Sequence, residues 1–258
     1  MVASGNDFIV ADRLAGGSAG RLRKIARGIC DRKYGVGADG LLALGKSKIG
    51  DIKMRIFNSD GSEAEMCGNG SRCTALYMAK KRLKIETKAG VIYSAVNGSN
   101  VKIKLTDPKD LSLDIPVRVN GRTIHVDSIN TGVPHAVVFV QGLEKIDVFN
   151  LGRQIRFHKA FAPAGANVNF VEMLGNKSIR IRTYERGVED ETLACGTGSV
   201  AAALISVTRY PLPVTLIMNV HTKSGEVLKV YFEKQDEKFK EVWLEGEARI
   251  VYEGVYYV

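Results

Sequence analysis

Apolar residues first fall into a helical period at 18–30, where Leu22, Ile25, Ala26 and Ile29 recur at three- and four-residue spacing behind Ser18, a residue suited to capping a helix. The pattern then changes. After the glycine-rich YGVGAD of 34–39, Leu41-Leu42-Ala43-Leu44 is a short apolar run with the length of a buried strand. Strand-like runs recur at 52–57, 91–96, 101–105, 124–129, 136–140, 168–171, 179–183, 215–220, 227–232 and 248–252, each with β-branched or aromatic residues between turn signals. Further helices are predicted over 69–81, 148–158 and 198–208. Strands that do not alternate with helices favour an α+β fold of mixed or antiparallel sheets over a doubly wound α/β sheet.

The most informative pattern is an internal echo. FNSDGSEAEMCGNGSRCTAL at 57–76 matches YERGVEDETLACGTGSVAAAL at 184–204, with Cys67 on Cys195 and Cys-Gly-x-Gly-Ser in both. Upstream, Arg55-Ile56-Phe57-Asn58 matches Arg182-Thr183-Tyr184-Glu185, with one extra residue in the second copy. The copies lie half a chain apart. Two pseudo-symmetric halves are therefore expected, 1–116 carrying Cys67 and 117–258 carrying Cys195, with a boundary around Asp114-Ile115-Pro116 and the last strand, 249–258, completing the first half. Such a repeat would place the two loops face to face.

Composition adds limits. The 258 residues are 45% hydrophobic and 25% charged, as in soluble globular proteins, which argues against disorder and coiled coil. A formal net charge of +9 favours anionic partners. The bases are dispersed, however: Arg21, Arg23, Lys24 and Arg27 form one group and Lys80, Lys81, Arg82 and Lys84 another, which read as solvated faces rather than a nucleic-acid site. No apolar run reaches a membrane span and no signal peptide is evident, so a cytosolic protein without membrane partners is expected. Four cysteines are too few for a disulfide scaffold, so each is a buried filler or a working thiol.

In both copies a strand leads through an acidic loop to Cys-Gly-x-Gly-Ser and then to a small-residue helix. Glycines there let a ligand approach the backbone, and a helix N-terminus offers free N–H groups to a carboxylate and lowers the pKa of a nearby thiol. Cys30, on an apolar helix face, and Cys73 read as inert. No Cys-x₂₋₄-Cys spacing supports zinc, no metal is expected, and neither loop continues as a Walker sequence. Two thiols sharing one carbon suit proton removal from one face and delivery to the other, which inverts a stereocentre. No lysine lies within 58–73 or 183–200, so nothing suggests a pyridoxal Schiff base and no cofactor is expected.

Gly5-Asn6-Asp7-Phe8, Asn58-x-Asp60-Gly61-Ser62, Cys67-Gly68-Asn69-Gly70-Ser71-Arg72-Cys73, Gly132-x-Pro134-His135, Asn167-x-Asn169-Phe170, Glu185-Arg186-Gly187 and Ala194-Cys195-Gly196-Thr197-Gly198 together resemble the diaminopimelate epimerase family. Taken alone, Asn58-x-Asp60-Gly61 is a turn signal, His135 a core histidine and Arg186 a surface residue; their order makes the match specific.

The resemblance implies a cofactor-independent isomerase converting L,L-diaminopimelate to the meso form in lysine and peptidoglycan precursor synthesis. It also implies two halves, each a sheet around a central helix, with the active site in the cleft between them, and a homodimer. Cys67 and Cys195 match its acid/base thiols, with His135 and Glu185 beside them. Gly68, Asn69, Gly196 and Thr197 would bind the reacting carboxylate, and Asn6, Asn58, Asn167, Glu185 and Arg186 the rest of the substrate. Three departures stand out. Only residues 1–4 precede Gly5, short for an opening strand. Gly40 and Val133 replace the Gln and Asn common in such proteins, which raises the alternative of a related two-thiol racemase for another amino acid. The loop at Val188-Glu189-Asp190-Glu191 is one residue longer, so a local bulge is expected beside Glu185.

Overall fold

The computed structural model describes residues 1–210, 217–235 and 238–257. The chain divides into two compact units, one formed by Met1–Lys104 with Gly246–Val258 and the other by Leu105–Glu245.

In the first unit β1 (Val2–Ala3) and β2 (Asn6–Ala11) form a hairpin. They are followed by α1 (Ala19–Ile29), β3 (Gly40–Gly45), β4 (Ile52–Asn58), β5 (Glu63–Ala64), α2 (Gly68–Tyr77), β6 (Arg82–Thr87), β7 (Gly90–Asn97) and β8 (Asn100–Lys104). β2 runs parallel to β3 and β4 to β6, while β3 with β4, β4 with β5, β6 with β7 and β7 with β8 are antiparallel. The second unit opens with an additional strand, β9 (Lys109–Val119), within which Asp114-Ile115-Pro116 lies. It then repeats the order of the first: β10 (Arg122–Asn130), β11 (Pro134–Phe139), α3 (Val148–Arg156), β12 (Asn167–Gly175), β13 (Ser178–Glu185), β14 (Asp190–Thr192), α4 (Gly196–Arg209), β15 (Ile217–His221), β16 (Val227–Gln235) and β17 (Lys238–Glu247). The pairing senses repeat as well, with β11 parallel to β12 and β13 parallel to β15. The fold is α+β with mixed sheets, as expected.

Each unit wraps its sheet around one buried helix. α2 packs against β1, β2, β4, β6, β7 and β8, and α4 against β10, β11, β12, β13, β15 and β16. A helix buried on every side must be free of exposed charge and slim enough for strands to close on it. Residues 69–75 of α2 and 198–206 of α4 are all buried and mostly small. The first serine of each bonds back into its helix, Ser71 Oγ to Cys67 O and Ser199 Oγ to Cys195 O, both at 2.9 Å, so neither buried hydroxyl is stranded. α1 and α3 lie on the outer faces. Ser18 Oγ caps α1 by accepting from Arg21 N–H, and Leu22 and Ala26 press against Leu41, Ala43 and Phe57. The core under α3 joins Val148 and Ile155 to Val168, Phe170 and Tyr184.

Several elements differ from their expected extents. α2 stops at Tyr77, where Ala79 enters the left-handed region at φ 51°, and α4 begins two residues earlier than 198 because its glycine-rich start is fixed by packing, not propensity. β2, β6, β9 and β17 escape the sequence reading; in β6 and β17 charged residues alternate with buried ones, as in Arg82, Lys84 and Glu86 of β6. The strand expected at 248–252 is absent: β17 ends at Glu247, and beyond it Arg249 forms a single bridge to Val2. Residues 215 and 216 of the strand expected at 215–220 lie outside the described residues, and the rest is β15. Among the described residues no helix is long and apolar enough to cross a membrane.

Candidate active site

In the first unit β4 and β5 deliver the chain to Cys67 at the entrance of α2. Arg55 and Glu63 clamp the two strands through a bidentate pair, Nε to Oε1 at 2.7 Å and Nη2 to Oε2 at 3.0 Å, and this hydrogen-bonded partner holds the Glu63 carboxyl below the usual range. Between the strands, Asn58-x-Asp60-Gly61 forms a tight turn with Gly61 at φ 81°. The Asp60 carboxylate accepts from the Ser62 N–H and hydroxyl, and the Asn58 amide donates to Ser62 Oγ at 2.9 Å. In the free chain Asn58 is therefore spent inside its own turn.

Cys67 is the N-cap of α2, in extended conformation, with the Gly70 N–H 3.4 Å from its Sγ. Gly68 and Asn69 are the first two residues of the helix, whose amides have no intrahelical acceptor. Behind them runs a directed chain of hydrogen bonds. Arg72, fully buried, donates to Asn69 Oδ1 (2.6 Å), Ser4 Oγ (2.7 Å) and Glu247 O (3.1 Å). Asn69 Nδ2 donates to Asn6 Oδ1 at 2.8 Å, and Asn6 Nδ2 to Asp39 Oδ2 at 2.9 Å. Arg32 then bridges Asp39 and Asp7, and its hydrogen bond is the main cause that lowers the Asp7 carboxyl. With a cation at one end and a carboxylate at the other, both amides have one permitted orientation.

The second unit repeats the frame with other occupants. Arg182 clamps Glu191 at 2.7 and 2.8 Å, the counterpart of Arg55 with Glu63. Burial pushes the Glu191 carboxyl up, and Arg182 with Lys223 more than reverses it. Cys195, 7% exposed, caps α4 with its Sγ 3.6 Å from Thr197 Oγ1. Gly196 and Thr197 open the helix, and the Thr197 carbonyl accepts from the buried Thr131 hydroxyl at 2.9 Å. Glu185, at the end of β13, has its carboxyl raised by burial. Asn167 Oδ1 accepts from Arg186 N–H at 2.7 Å, while Arg186 Nη1 donates to Ala164 O. His135, wholly buried on β11, is pushed down to about 3 by burial and by the charge of Arg186, so it is neutral at physiological pH.

One expectation needs correction. The extra residue near Glu185 makes no bulge: the β13–β14 pairing is regular through Glu185 and Asp190, and the insertion is absorbed in the turn, with Gly187 at φ 93° and Glu189 at φ 58°. Gly40 is tightly packed: a Cβ there would stand 2.8 Å from Phe57 O and against the Phe8 ring. Sequence reasoning also passed over Arg72 and Asn169, although both stand in quoted motifs. The signal for Arg72 was a lone charge in an otherwise uncharged helix.

The first unit thus holds Asn6, Asn58, Cys67, Gly68 and Asn69, and the second His135, Asn167, Glu185, Arg186, Cys195, Gly196 and Thr197. The family model for diaminopimelate epimerase matches residues 1–110 and 128–251. A diaminopimelate epimerase of Aquifex aeolicus (strain VF5) is 44% identical over 270 residues, covering 98% of this chain and 95% of its own. In structure the chain is similar to a phenazine biosynthesis protein of the PhzF family from Bacillus anthracis, with TM-score 0.69 and 20% identity over 96% of this chain and 92% of the other. It is also similar to a probable proline racemase from Agrobacterium radiobacter K84, with TM-score 0.67 and 15% identity over 98% and 92%. These two likenesses concern the fold; the sequence matches, which span nearly the whole chain, place it in the diaminopimelate epimerase family.

Proposed function

We propose that this chain carries out its family's reaction, the epimerisation of diaminopimelate, with Cys67 and Cys195 as the two acid/base groups. The observation that carries the reading is the duplicated site: each unit sets a cysteine at the N-cap of its buried helix, on a matching Arg–Glu clamp, beside amides that have no acceptor within the helix. A carboxylate bound by the amides of Gly68, Asn69, Gly196 and Thr197 meets two positive helix ends. Charge that spreads into it as the α-hydrogen leaves is stabilised there.

One cysteine, as thiolate, removes the α-proton and becomes a thiol. The other, as thiol, gives its proton to the opposite face and becomes a thiolate, so configuration inverts and the roles exchange. His135 and Glu185 tune the two sulfurs, and Asn6, Asn58, Asn167, Glu185 and Arg186 hold the remainder of the substrate, with Arg186 suited to a distal carboxylate. For Asn58 this requires exchanging its bond to Ser62 for one to the substrate. The reading places the enzyme in the cytosol, in lysine and peptidoglycan precursor synthesis, as a homodimer. Light scattering giving only the 28.1 kDa of one chain would remove the dimer from it.

The deciding experiment follows L,L-diaminopimelate by proton NMR in D₂O with reduced protein. Loss of the α-hydrogen with appearance of the meso form, abolished by Cys67→Ala and by Cys195→Ala, is expected. Turnover that survives either substitution would overturn the two-thiol assignment.

A further inference from the structure

The buried network around His135 carries information that the mechanism above leaves unused. The geometry points to Asn169 as a positioning residue that, held by Thr183, fixes His135 as an imidazole bare at Nδ1, so that His135 serves the reaction as an Nε2–H hydrogen-bond donor to an anion and not as a base. This deepens the reading of His135 given above and rests on it.

Asn169 Nδ2 lies 3.0 Å from Ala136 O and 3.1 Å from His135 Nδ1, and Asn169 Oδ1 accepts from Thr183 Oγ1 at 3.0 Å. A peptide carbonyl can only accept. The nitrogen of the Asn169 amide must therefore face Ala136, and its oxygen is left to the Thr183 hydroxyl. The second amide hydrogen then points at Nδ1, which must offer a lone pair, so the ring hydrogen sits on Nε2. His135 and Asn169 are fully buried and Thr183 is 3% exposed, so water does not compete for these bonds. Protonating Nδ1 would set one donor against another, and both burial and the charge of Arg186 oppose it.

Nε2 has no hydrogen-bond partner among the described residues, although it is buried. A buried donor left without an acceptor is costly, so its acceptor arrives in the working complex: a thiolate sulfur or a carboxylate oxygen of the substrate. The same amide also accounts for a glycine of the motif. A Cβ at Gly198 would stand 2.4 Å from Asn169 Oδ1, so the first turn of α4, which follows Cys195, is seated directly on the group that sets the tautomer.

The test is nitrogen-15 NMR of histidine-labelled, reduced protein without substrate, with His135 assigned through His135→Gln. The expected spectrum has an unprotonated Nδ1 and a protonated Nε2, unchanged between about pH 5 and 8, the range in which an unperturbed histidine titrates. Asn169→Asp should move the proton to Nδ1, make the ring titratable in that window and lower kcat on the order of a hundredfold with little change in KM. Should that variant fail to fold, Asn169→Ala, which removes the amide that faces Nδ1, should give a mixed tautomer signal. A wild-type ring protonated at Nδ1, or titrating in that window, would overturn the inference. Because the spectrum is read without turnover, an expected tautomer in a chain inactive on diaminopimelate would count against the proposed function alone.

Discussion

The two Cys-Gly-x-Gly-Ser loops share a frame and differ in what stands behind it. Both use an Arg–Glu clamp, a cysteine N-cap and a serine bonded back to the cysteine carbonyl. Behind Cys67, however, buried Arg72 and the two amides it orients form a charged network, whereas the equivalent of Arg72 in α4 is Val200, among alanines. Charge lies one turn behind the first thiol, and a carboxyl raised by burial, Glu185, belongs to the second unit. Duplication preserved what holds a thiol at a helix end and let the surroundings diverge.

Breaking the charged network should have the largest effect. Arg72→Met takes a charged donor away from Asn69 Oδ1, Ser4 Oγ and the Glu247 carbonyl, and we expect a loss of about 3–5 kcal/mol in urea unfolding together with a raised KM. Val200→Ala, at the equivalent place, should cost only about 1–2 kcal/mol. Equal losses would show that the two sites do not differ in the way described.

The glycines sharpen the comparison at smaller scale. A Cβ at Gly198 meets the fixed Asn169 amide at 2.4 Å, but one at Gly70 meets the end of the Leu42 side chain at 2.9 Å, which can turn away. Gly198→Ala should therefore reduce both stability and kcat, by roughly 2 kcal/mol in unfolding, and Gly70→Ala by less than half as much.

The shared clamp should respond alike in both units. Glu63 and Glu191 have lowered pKa values, so their pairing stabilises the fold above the unfolded-state value and is lost as pH falls through the folded value, in acid below about pH 4.3. Glu63→Gln and Glu191→Gln should each lower Tm at pH 7 and flatten its decline in acid, which calorimetry across pH would record. The smallest effect has the opposite sign. Glu185 is raised by burial, so its ionised form weighs against the fold as pH rises through the folded value; Glu185→Gln should raise Tm slightly at pH 7 while slowing turnover.

Much of this was legible in the chain. The helical period behind Ser18, the apolar run at Leu41-Leu42-Ala43-Leu44 and the repeated loop each encode local geometry, and they gave α1, β3 and the entrances of α2 and α4. Strands β6 and β17 were hidden because a surface strand spends half its residues on charge, which a linear reading takes for loop. Roles that depend on a partner distant in sequence were hidden too. That Asn58 folds onto Ser62 is local, but that Arg72 orders Asn69 and Asn6 against Asp39, or that Asn169 joins His135 to Ala136 and Thr183, arises only when separate strands and a buried helix are brought within hydrogen-bond distance. The sequence by itself determined the chemistry available, two thiols on two glycine-rich helix entrances. Only tertiary structure decided the direction of each hydrogen bond, because that depends on which group is charged, which is buried and which can do nothing but accept.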